Sequence, residues 1–230
     1  MQHAVVSYDD WLTACRNLLK AEKELTRLHD KIALERLALP WVRIEKEYVF
    51  DTLNGPRTLA ALFDDRSQLL VQHFMFAPGW KEGCPSCSFM ADHTDGMNMH
   101  LANHDVTMIA VSRAPLAEIE PYRKRMGWQF EWVSSFGNDF NYDFRVSFTP
   151  GEVADNAIDY NFGVWPETGG EWPGISAFFK DDSGAVFRTY STYGRGVEAM
   201  MGTYAMLDLT PKGRNEAVGM DWVRRHDRYR

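Results

Sequence analysis

The stretch "QLLVQHFMFAPGWKEGCPSCSF", residues 68–89, joins a nearly continuous apolar run to two of the chain's three cysteines. An apolar run of this kind, over residues 68–76, predicts a strand at the centre of a parallel sheet. Cys84 and Cys87 follow with the spacing CxxC, and Pro85 suits the first position of a helix, where its missing N–H costs nothing. The stretch therefore predicts a buried strand, a link and a helix that begins at the cysteine pair.

The position of Cys84 at the start of a helix favours chemistry at its sulfur. Unpaired backbone N–H groups and the positive end of the helix dipole point at such a sulfur, and they lower its pKa because they stabilise the thiolate. Cys87, one turn later, is within reach to close a disulfide and is the natural resolving thiol. Two alternatives stay open: inert thiols, and half of a structural metal site, although the sequence holds no second CxxC. We predict neither a metal nor a cofactor.

The rest of the sequence predicts helices and strands in a regular order. The predicted elements are a helix over residues 7–39, strands over 42–50 and 68–76, a helix ending near Asn103, a strand over Val106–Ser112, a helix over 115–127, a strand over 129–135, an insertion over 136–171, a hairpin over 174–191 and a helix over 197–206. Parallel strands joined by helices, followed by an antiparallel hairpin and a closing helix, indicate a thioredoxin-like α/β sandwich. It has a long N-terminal helix and a long insertion before the C-terminal β-hairpin.

This order also predicts the domain organisation. Residues 1–40 form an N-terminal helical extension, residues 41–210 form the thioredoxin-like domain, and residues 211–230 form a C-terminal tail. The tail ends in the basic run "VRRHDRYR", which we interpret as a terminus exposed to solvent.

Six stretches of the sequence resemble one bacterial family over nearly the whole chain. They are "QLLVQHFMF", "GCPSCSF", "DFNYDF", "WPGISAFF", "TYSTYGRG" and "LDLTPKGR". The family is thioredoxin-like, is known as domain of unknown function 899 and is often labelled a predicted dithiol–disulfide oxidoreductase. The resemblance implies a thiol–disulfide oxidoreductase in which Cys84 attacks a protein or small-molecule disulfide and Cys87 resolves the product.

Two departures from other thioredoxin-fold proteins narrow this expectation. Thioredoxin normally has a tryptophan directly before its first cysteine, whereas Gly83 stands there and Trp80 lies four residues before Cys84. A peroxiredoxin needs threonine or serine three residues before its peroxidatic cysteine, and Lys81 stands at that position. The sequence thus argues against a general protein disulfide reductase and against a peroxidase.

Four of the histidines suggest site chemistry. By strand alternation either Gln72 or His73 faces the motif, and His73 could then act as a base near neutral pH. A hydrogen-bonded core histidine is the alternative. His93, His100 and His104 share one face of an unbroken helix and could bind zinc, but the favoured interpretation is a polar helix edge.

Trp80, Trp172 and Pro173 are the predicted substrate-binding residues. Pro173 directly precedes the hairpin, where thioredoxin-like proteins place a cis-proline across from the CxxC. We therefore expect a cis Trp172–Pro173 bond beside Cys84, with the backbone of Trp172 free to pair with a substrate. An ordinary trans-proline at the start of an edge strand is the alternative.

Composition limits the partners and the location. A net charge of -7 and a pI near 5.5 argue against nucleic acid. No apolar run approaches the roughly 20 residues that span a bilayer, and the start lacks the pattern of a signal peptide. We therefore predict a cytoplasmic protein that binds neither nucleic acid nor membrane.

The predicted N-terminal helix carries an apolar residue every seven positions, which suggests a homodimer. These residues are Trp11, Leu18, Leu25, Ile32 and Leu39. The alternative is packing of the helix on its own domain, and Cys15 beside the seam is then a packing residue.

A second function stays open, a non-catalytic binding module on a thioredoxin-like scaffold. Its pocket would be formed by aromatic residues of the insertion, namely Tyr142, Phe144, Tyr160, Phe162 and Trp165.

Overall fold

The computed structural model describes residues 3–155, 158–165 and 169–229. The chain divides into two compact units, residues 1–40 and 41–230. Helix α1 (Tyr8–Leu37) occupies the first unit and begins where the Ser7 hydroxyl accepts the backbone N–H of Asp10 at 3.2 Å. None of the side chains of α1 is buried, and its seam residues Leu18 and Leu25 are 60% and 58% exposed.

The second unit is built on a mixed six-stranded sheet. In chain order its strands are β1 (Val42–Arg43), β4 (Gln68–His73), β5 (Val106–Ser112), β6 (Glu131–Ser134), β9 (Gly174–Lys180) and β10 (Val186–Tyr193). Two small antiparallel pairs join β2 (Val49–Phe50) to β3 (Arg57–Thr58), and β7 (Ile158–Tyr160) to β8 (Gly163–Trp165). The helices are α2 (Pro85–Asn103), α3 (Leu116–Met126), α4 (Phe140–Asp143), α5 (Pro150–Ala154) and α6 (Gly202–Asp208).

The strand order in the sheet is β1-β10-β9-β4-β5-β6. Strands β4, β5 and β6 are parallel and are connected through α2 and α3, whereas β9 and β10 form a hairpin that pairs antiparallel with β4. The fold is therefore a thioredoxin-like α/β sandwich, and this prediction is confirmed. Within the described residues, no helix is both long and apolar enough to cross a membrane.

Strand β4 sends its side chains alternately into two buried layers, as the two-residue period of a strand requires. Leu69 and Val71 pack in one layer, which includes aromatic residues of the predicted insertion. Leu70 and Phe74 face the other layer, which includes residues of α2. The site at the end of β4 thus rests on a strand that is covered on both faces.

Two predicted elements are wrong in detail. Residues 42–50 were expected as one strand, but they form β1 and β2 in different sheets. The break lets Tyr48 and Phe50 enter the core, where they are 5% and 0% exposed. The helix expected over residues 197–206 begins as a 3-10 turn, Gly194–Met200, and α6 follows only from Gly202.

The insertion over residues 136–171 is more ordered than its sequence indicated. It contains α4, α5, β7 and β8, and Phe140, Phe144 and Tyr160 from it are buried in the core. The aromatic residues of this segment follow neither a helical nor a strand period in the sequence, and in the structure they serve as core side chains.

Candidate active site

Cys84 is held at the point where the link from β4 enters α2. It is the N-cap residue of α2, and Pro85 begins the helix. The backbone N–H of Cys84 donates to the carbonyl of Met75 at 3.1 Å, and its own carbonyl accepts the N–H of Ser88 at 3.0 Å. The hydroxyl of Ser88 donates to the same carbonyl at 2.8 Å. The predicted helix start is therefore observed, and the backbone around the first cysteine is fixed on both sides.

The two thiols differ in exposure and in acidity. Cys84 is partly exposed, whereas Cys87 is buried at 1% exposure. The pKa of Cys84 is lowered to about 6, chiefly because the Cys87 thiol donates a hydrogen bond to its sulfur. Contacts with the backbone of Cys87 and Ser86 add to this effect and burial opposes it. The pKa of Cys87 is raised because the same hydrogen bond and burial favour its protonated form.

Gly83 explains why no larger residue precedes the cysteine pair. A Cβ at this position would lie 2.6 Å from the ring of Phe74 and 2.9 Å from the ring of Tyr122. Real Cβ contacts are not this short, so only glycine lets the link pass between the two rings. The departure from the tryptophan of thioredoxin is thus a packing requirement of this chain.

The C-terminal segment braces the same position. Arg225 donates from Nη2 to the carbonyl of Gly83 at 2.6 Å and from Nε to the Tyr122 hydroxyl at 3.2 Å. The Tyr122 hydroxyl is also hydrogen-bonded to the hydroxyl of Ser88 at 2.8 Å. Arg224 and residues 226–229 are exposed, as predicted for this basic run, whereas Val223 is buried at 4% exposure and Arg225 is partly buried. The chain folds its end back because these partners satisfy a carbonyl and a hydroxyl beside the motif.

Both cysteines line a cavity of about 920 Å³. Its walls come from four parts of the second unit: the start of α2, the insertion, the 3-10 turn with α6, and the C-terminal segment. Besides the two cysteines, eight of the 19 described lining residues are aromatic or methionine, namely Met75, Met90, Tyr160, Trp165, Trp172, Met201, Tyr204 and Met220. Ligand sites commonly have about 300–1,000 Å³, so the cavity has the size of a small-molecule site.

One family model matches nearly the whole sequence. A family model described as "Bacterial protein of unknown function (DUF899)" matches residues 1–229. The chain belongs to the DUF899 family. The resemblance found in the sequence is therefore confirmed. No curated protein matches the chain significantly.

Solved structures similar to this DUF899 chain include several peroxiredoxins. Peroxidoxin BcpB from Mycobacterium tuberculosis has 12% identity and a TM-score of 0.47, over 72% of this chain and 97% of that one. A mutant of peroxiredoxin Q from Xanthomonas campestris has 12% identity and a TM-score of 0.47, over 69% and 90%. The mitochondrial 2-Cys peroxiredoxin from Plasmodium falciparum has 13% identity and a TM-score of 0.40, over 74% and 94%.

The structure does not bring His73 to the cysteines of this DUF899 protein. Gln72 faces α2 and donates from Nε2 to the carbonyl of Cys87 at 3.1 Å. His73 faces the opposite layer, where Nε2 lies 2.8 Å from the hydroxyl of Ser176 and the ring stacks on Phe140. Burial lowers its pKa to about 3, so it is neutral at pH 7. The predicted role as a base is therefore not supported, and the alternative of a core histidine fits the contacts.

Two of the three predicted substrate-binding residues line the cavity, and the third does not. Trp172 and Pro173 line the cavity with Cys84, whereas Trp80 is 40% exposed and lies outside the described lining. The expected cis Trp172–Pro173 bond is wrong, since the described residues contain no cis peptide bond. Hydrogen bonds hold both sides of this peptide: the Trp172 N–H donates to Val146 at 2.8 Å, and the Tyr160 hydroxyl donates to the Pro173 carbonyl at 2.7 Å. The insertion thus occupies the N–H that was expected to meet a substrate.

Of the three histidines considered as zinc ligands, His93 has structural partners and His100 is exposed. His93 Nδ1 lies 2.7 Å from the carbonyl of Phe89, and its Nε2 accepts the backbone N–H of Thr203 at 3.1 Å. His104 lies at the C-cap, beyond the last helical residue. Within the described ranges no group of three or more histidine, cysteine or acidic side chains could hold a metal ion.

The aromatic residues of the insertion also separate. Tyr160 and Trp165 line the cavity beside the cysteines. Phe144 is buried in the core and Phe162 is 78% exposed. The ring centroid of Tyr142 lies 4.9 Å from the guanidinium carbon of Arg113. The predicted aromatic pocket therefore exists in part, and it opens on the thiols rather than forming a separate site.

Three residues of the site were missed in the sequence: Ser88, Tyr122 and Arg225. The basic run at the end stood out by charge, but no local pattern indicates a contact between Arg225 and a carbonyl 142 residues earlier.

Proposed function

We propose that this protein is a thiol–disulfide oxidoreductase that uses Cys84 as nucleophile and Cys87 as resolving thiol. One observation carries the proposal: an acidic, partly exposed thiol at a helix start is hydrogen-bonded by a buried second thiol, and both line a cavity large enough for a substrate. Metal binding or inert packing requires no such difference in acidity between the two sulfurs.

In the first step the Cys84 thiolate attacks one sulfur of a substrate disulfide. The substrate S–S bond breaks, a mixed disulfide with Cys84 forms, and the other sulfur leaves as a thiolate that takes a proton from solvent. At pH 7 most of Cys84 is ionised, because its pKa is about 6. The attacking form is therefore present without a separate base.

In the second step Cys87 attacks the Cys84 sulfur of the mixed disulfide. The hydrogen bond to Cys84 that raises the pKa of Cys87 loses its ionised acceptor once Cys84 is in the mixed disulfide. Cys87 then loses its proton more readily, and the second substrate thiolate leaves. Two electrons pass to the substrate, the protein keeps a Cys84–Cys87 disulfide, and a dithiol donor restores the reduced state.

A single-turnover experiment tests this scheme. Reduced protein is mixed with hydroxyethyl disulfide at pH 7, quenched with acid and mapped by mass spectrometry. The unchanged protein and Cys15→Ser, the control for the third cysteine, should form the Cys84–Cys87 disulfide. Cys87→Ser should accumulate a stable adduct on Cys84, and Cys84→Ser should form neither product. An adduct on Cys15, or no reaction at Cys84, would overturn the proposal.

A non-catalytic binding module remains a second candidate because of the aromatic cavity. It predicts that Cys84→Ser keeps every property of the unchanged protein, including ligand affinity and biological effect.

The cellular setting is part of the proposal. We place the protein in the cytoplasm, where a CxxC serves chemistry more often than structure. We also propose a homodimer through the exposed apolar seam of α1, with neither nucleic acid nor membrane as a partner.

A further inference from the structure

The lining of the cavity at Cys84 is more apolar than the reaction of a thiol requires. Met90 and Met201 lie on its walls at 0% and 4% exposure, and Tyr160, Trp165 and Trp172 add three rings. Trp172 is packed 5.0 Å from Tyr160 between ring centroids, so the wall is a continuous aromatic surface. Methionine side chains adapt their shape and make favourable contacts with aromatic groups. The lining therefore suits an apolar body attached to the sulfur that Cys84 attacks.

The charged side chains at the cavity already have partners. Glu198 binds Arg195 Nε at 2.7 Å and Arg214 Nη1 at 3.1 Å. Glu216 accepts the backbone N–H of Met220 at 2.9 Å. An anionic ligand group that enters an apolar site needs a positive charge to offset its lost hydration, and both arginines of the lining are already paired with Glu198. Glu216 accepts N–H and O–H donors and would repel an anion. The charges thus disfavour an anionic ligand, and the apolar lining favours an uncharged one.

Two main-chain groups beside Cys84 already have partners within the chain. A polypeptide substrate would be held by main-chain hydrogen bonds to an exposed strand edge. The Trp172 N–H is instead bonded to the carbonyl of Val146, and the Tyr160 hydroxyl occupies the Pro173 carbonyl. With these two groups engaged, substrate contacts with the side chains of the cavity wall are favoured, and such contacts suit a compact molecule.

We infer that the substrate is an uncharged disulfide of low molecular weight with an apolar body. This inference rests on the proposed function and specifies its substrate class. For a cyclic disulfide, Cys84 opens the ring, Cys87 releases the product as a dithiol, and the protein keeps the internal disulfide. Two electrons pass from the protein to the substrate, the Cys87 thiol gives up one proton, and the product dithiol takes its other proton from solvent.

The test compares four disulfides in single turnover at pH 7. They are lipoamide, lipoic acid, oxidised glutathione and insulin. Each second-order rate constant is divided by that of dithiothreitol with the same disulfide, which removes the intrinsic reactivity of the probe. We expect the normalised value for lipoamide to exceed those for oxidised glutathione and insulin by about 10-fold or more, which corresponds to about 1.4 kcal/mol of selective contact. Lipoic acid, which differs from lipoamide by its carboxylate, should be slower than lipoamide.

A matched pair of variants on β8 locates the selectivity. Trp165 lines the cavity, whereas its neighbour Val164 is 74% exposed and lies outside the described lining. Trp165→Ala should lower the lipoamide value more than the glutathione value, and Val164→Ala should change neither. Circular dichroism of both variants checks that the fold is kept.

The outcomes separate the two levels of the proposal. A reactive Cys84 with equal normalised values, or with insulin or lipoic acid preferred, overturns this inference and leaves the oxidoreductase proposal standing. An unreactive Cys84 overturns the oxidoreductase proposal. In that case quenching of tryptophan fluorescence by lipoamide in Cys84→Ser decides whether the cavity still selects apolar molecules.

Discussion

The two longest helices of the described chain, α1 and α2, use their surfaces in opposite ways. Helix α1 has 30 residues and buries none of them, although its apolar residues recur every seven positions. Helix α2 has 19 residues and buries six of them, all between Cys87 and Thr94. Regular apolar spacing in a sequence therefore does not show whether that helix packs against another part of the protein. Helix α2 is buried because its start packs against β4.

The cysteines on these helices show the same contrast. Cys15 lies inside α1, where backbone N–H groups bond to carbonyls within the helix. Cys84 lies at the start of α2, where such groups are unpaired and where Cys87 adds a thiol donor. The Cys87 thiol and, to a smaller extent, the backbone at the helix start lower the pKa of Cys84.

The largest expected effect concerns the tight docking of the start of α2. Gly83→Ala should lower the free energy of unfolding by about 1–3 kcal/mol, because the added methyl overpacks the rings of Phe74 and Tyr122. Gly96→Ala is the control, inside α2, where a Cβ meets nothing within 4 Å. It should stabilise by roughly 0.5–1 kcal/mol because alanine favours a helix over glycine. Urea denaturation measures both, and equal stability of the two variants would contradict the docking described here.

The next effect is the pH dependence of Cys84. With a pKa of about 6, its ionised fraction rises from about one-tenth at pH 5 to about nine-tenths at pH 7, so alkylation by iodoacetamide should accelerate about tenfold. Brief labelling followed by mass mapping should place most of the label on Cys84 at pH 7. Preferential labelling of Cys15 would show that the helix start confers no advantage.

Removing the second thiol should weaken this acidity. In Cys87→Ala the pKa of Cys84 should rise, because the hydrogen bond that contributes most to its low value is gone. A rise by one unit would leave about half of Cys84 ionised at pH 7, and the alkylation rate would fall by about that fraction. Cys15→Ala is the control and should keep the original profile. An unchanged profile in Cys87→Ala would assign the acidity to the helix start alone.

The smallest expected effect concerns dimerisation through α1, which is measured as the mass of the particle in solution. If two copies pair through the seam, sedimentation should give twice the 26.5 kDa of one chain. Leu25→Glu places a charge on the seam and should yield the single chain, whereas Leu34→Glu, which is exposed but off the seam, should not. A single-chain mass for the unchanged protein would remove the proposed dimer.

Local patterns predicted the elements that depend on local interactions. Strand β5 matches the predicted Val106–Ser112, and α3 lies between the predicted Pro115 and Gly127, which has a positive φ of 72°. These elements follow from an apolar run and from residues that start and end helices.

The remainder depends on contacts between distant residues. Gln72 and His73 are neighbours on one strand, so a shift by one position exchanges the layers that their side chains face. Only the packed sheet determines that Gln72 faces α2. The pairing of Trp172 with Val146 likewise depends on how the insertion folds back. The cysteine pair, its helix and part of the wall could be predicted, whereas the part of the wall from the 3-10 turn and the C-terminal segment could not. The predicted part of the wall consists of Tyr160, Trp165, Trp172 and Pro173.

The contact between Arg225 and Gly83 also fixes an order of events during synthesis. Arg225 follows Gly83 by 142 residues, so at about 5–20 residues per second it leaves the ribosome roughly 7–28 s later. During that interval the nascent chain carries its cysteine pair without the guanidinium that binds the preceding carbonyl. A chain truncated before Arg225 would keep this unbraced state permanently, so a codon 142 positions downstream of Gly83 determines the environment of the neighbouring thiol.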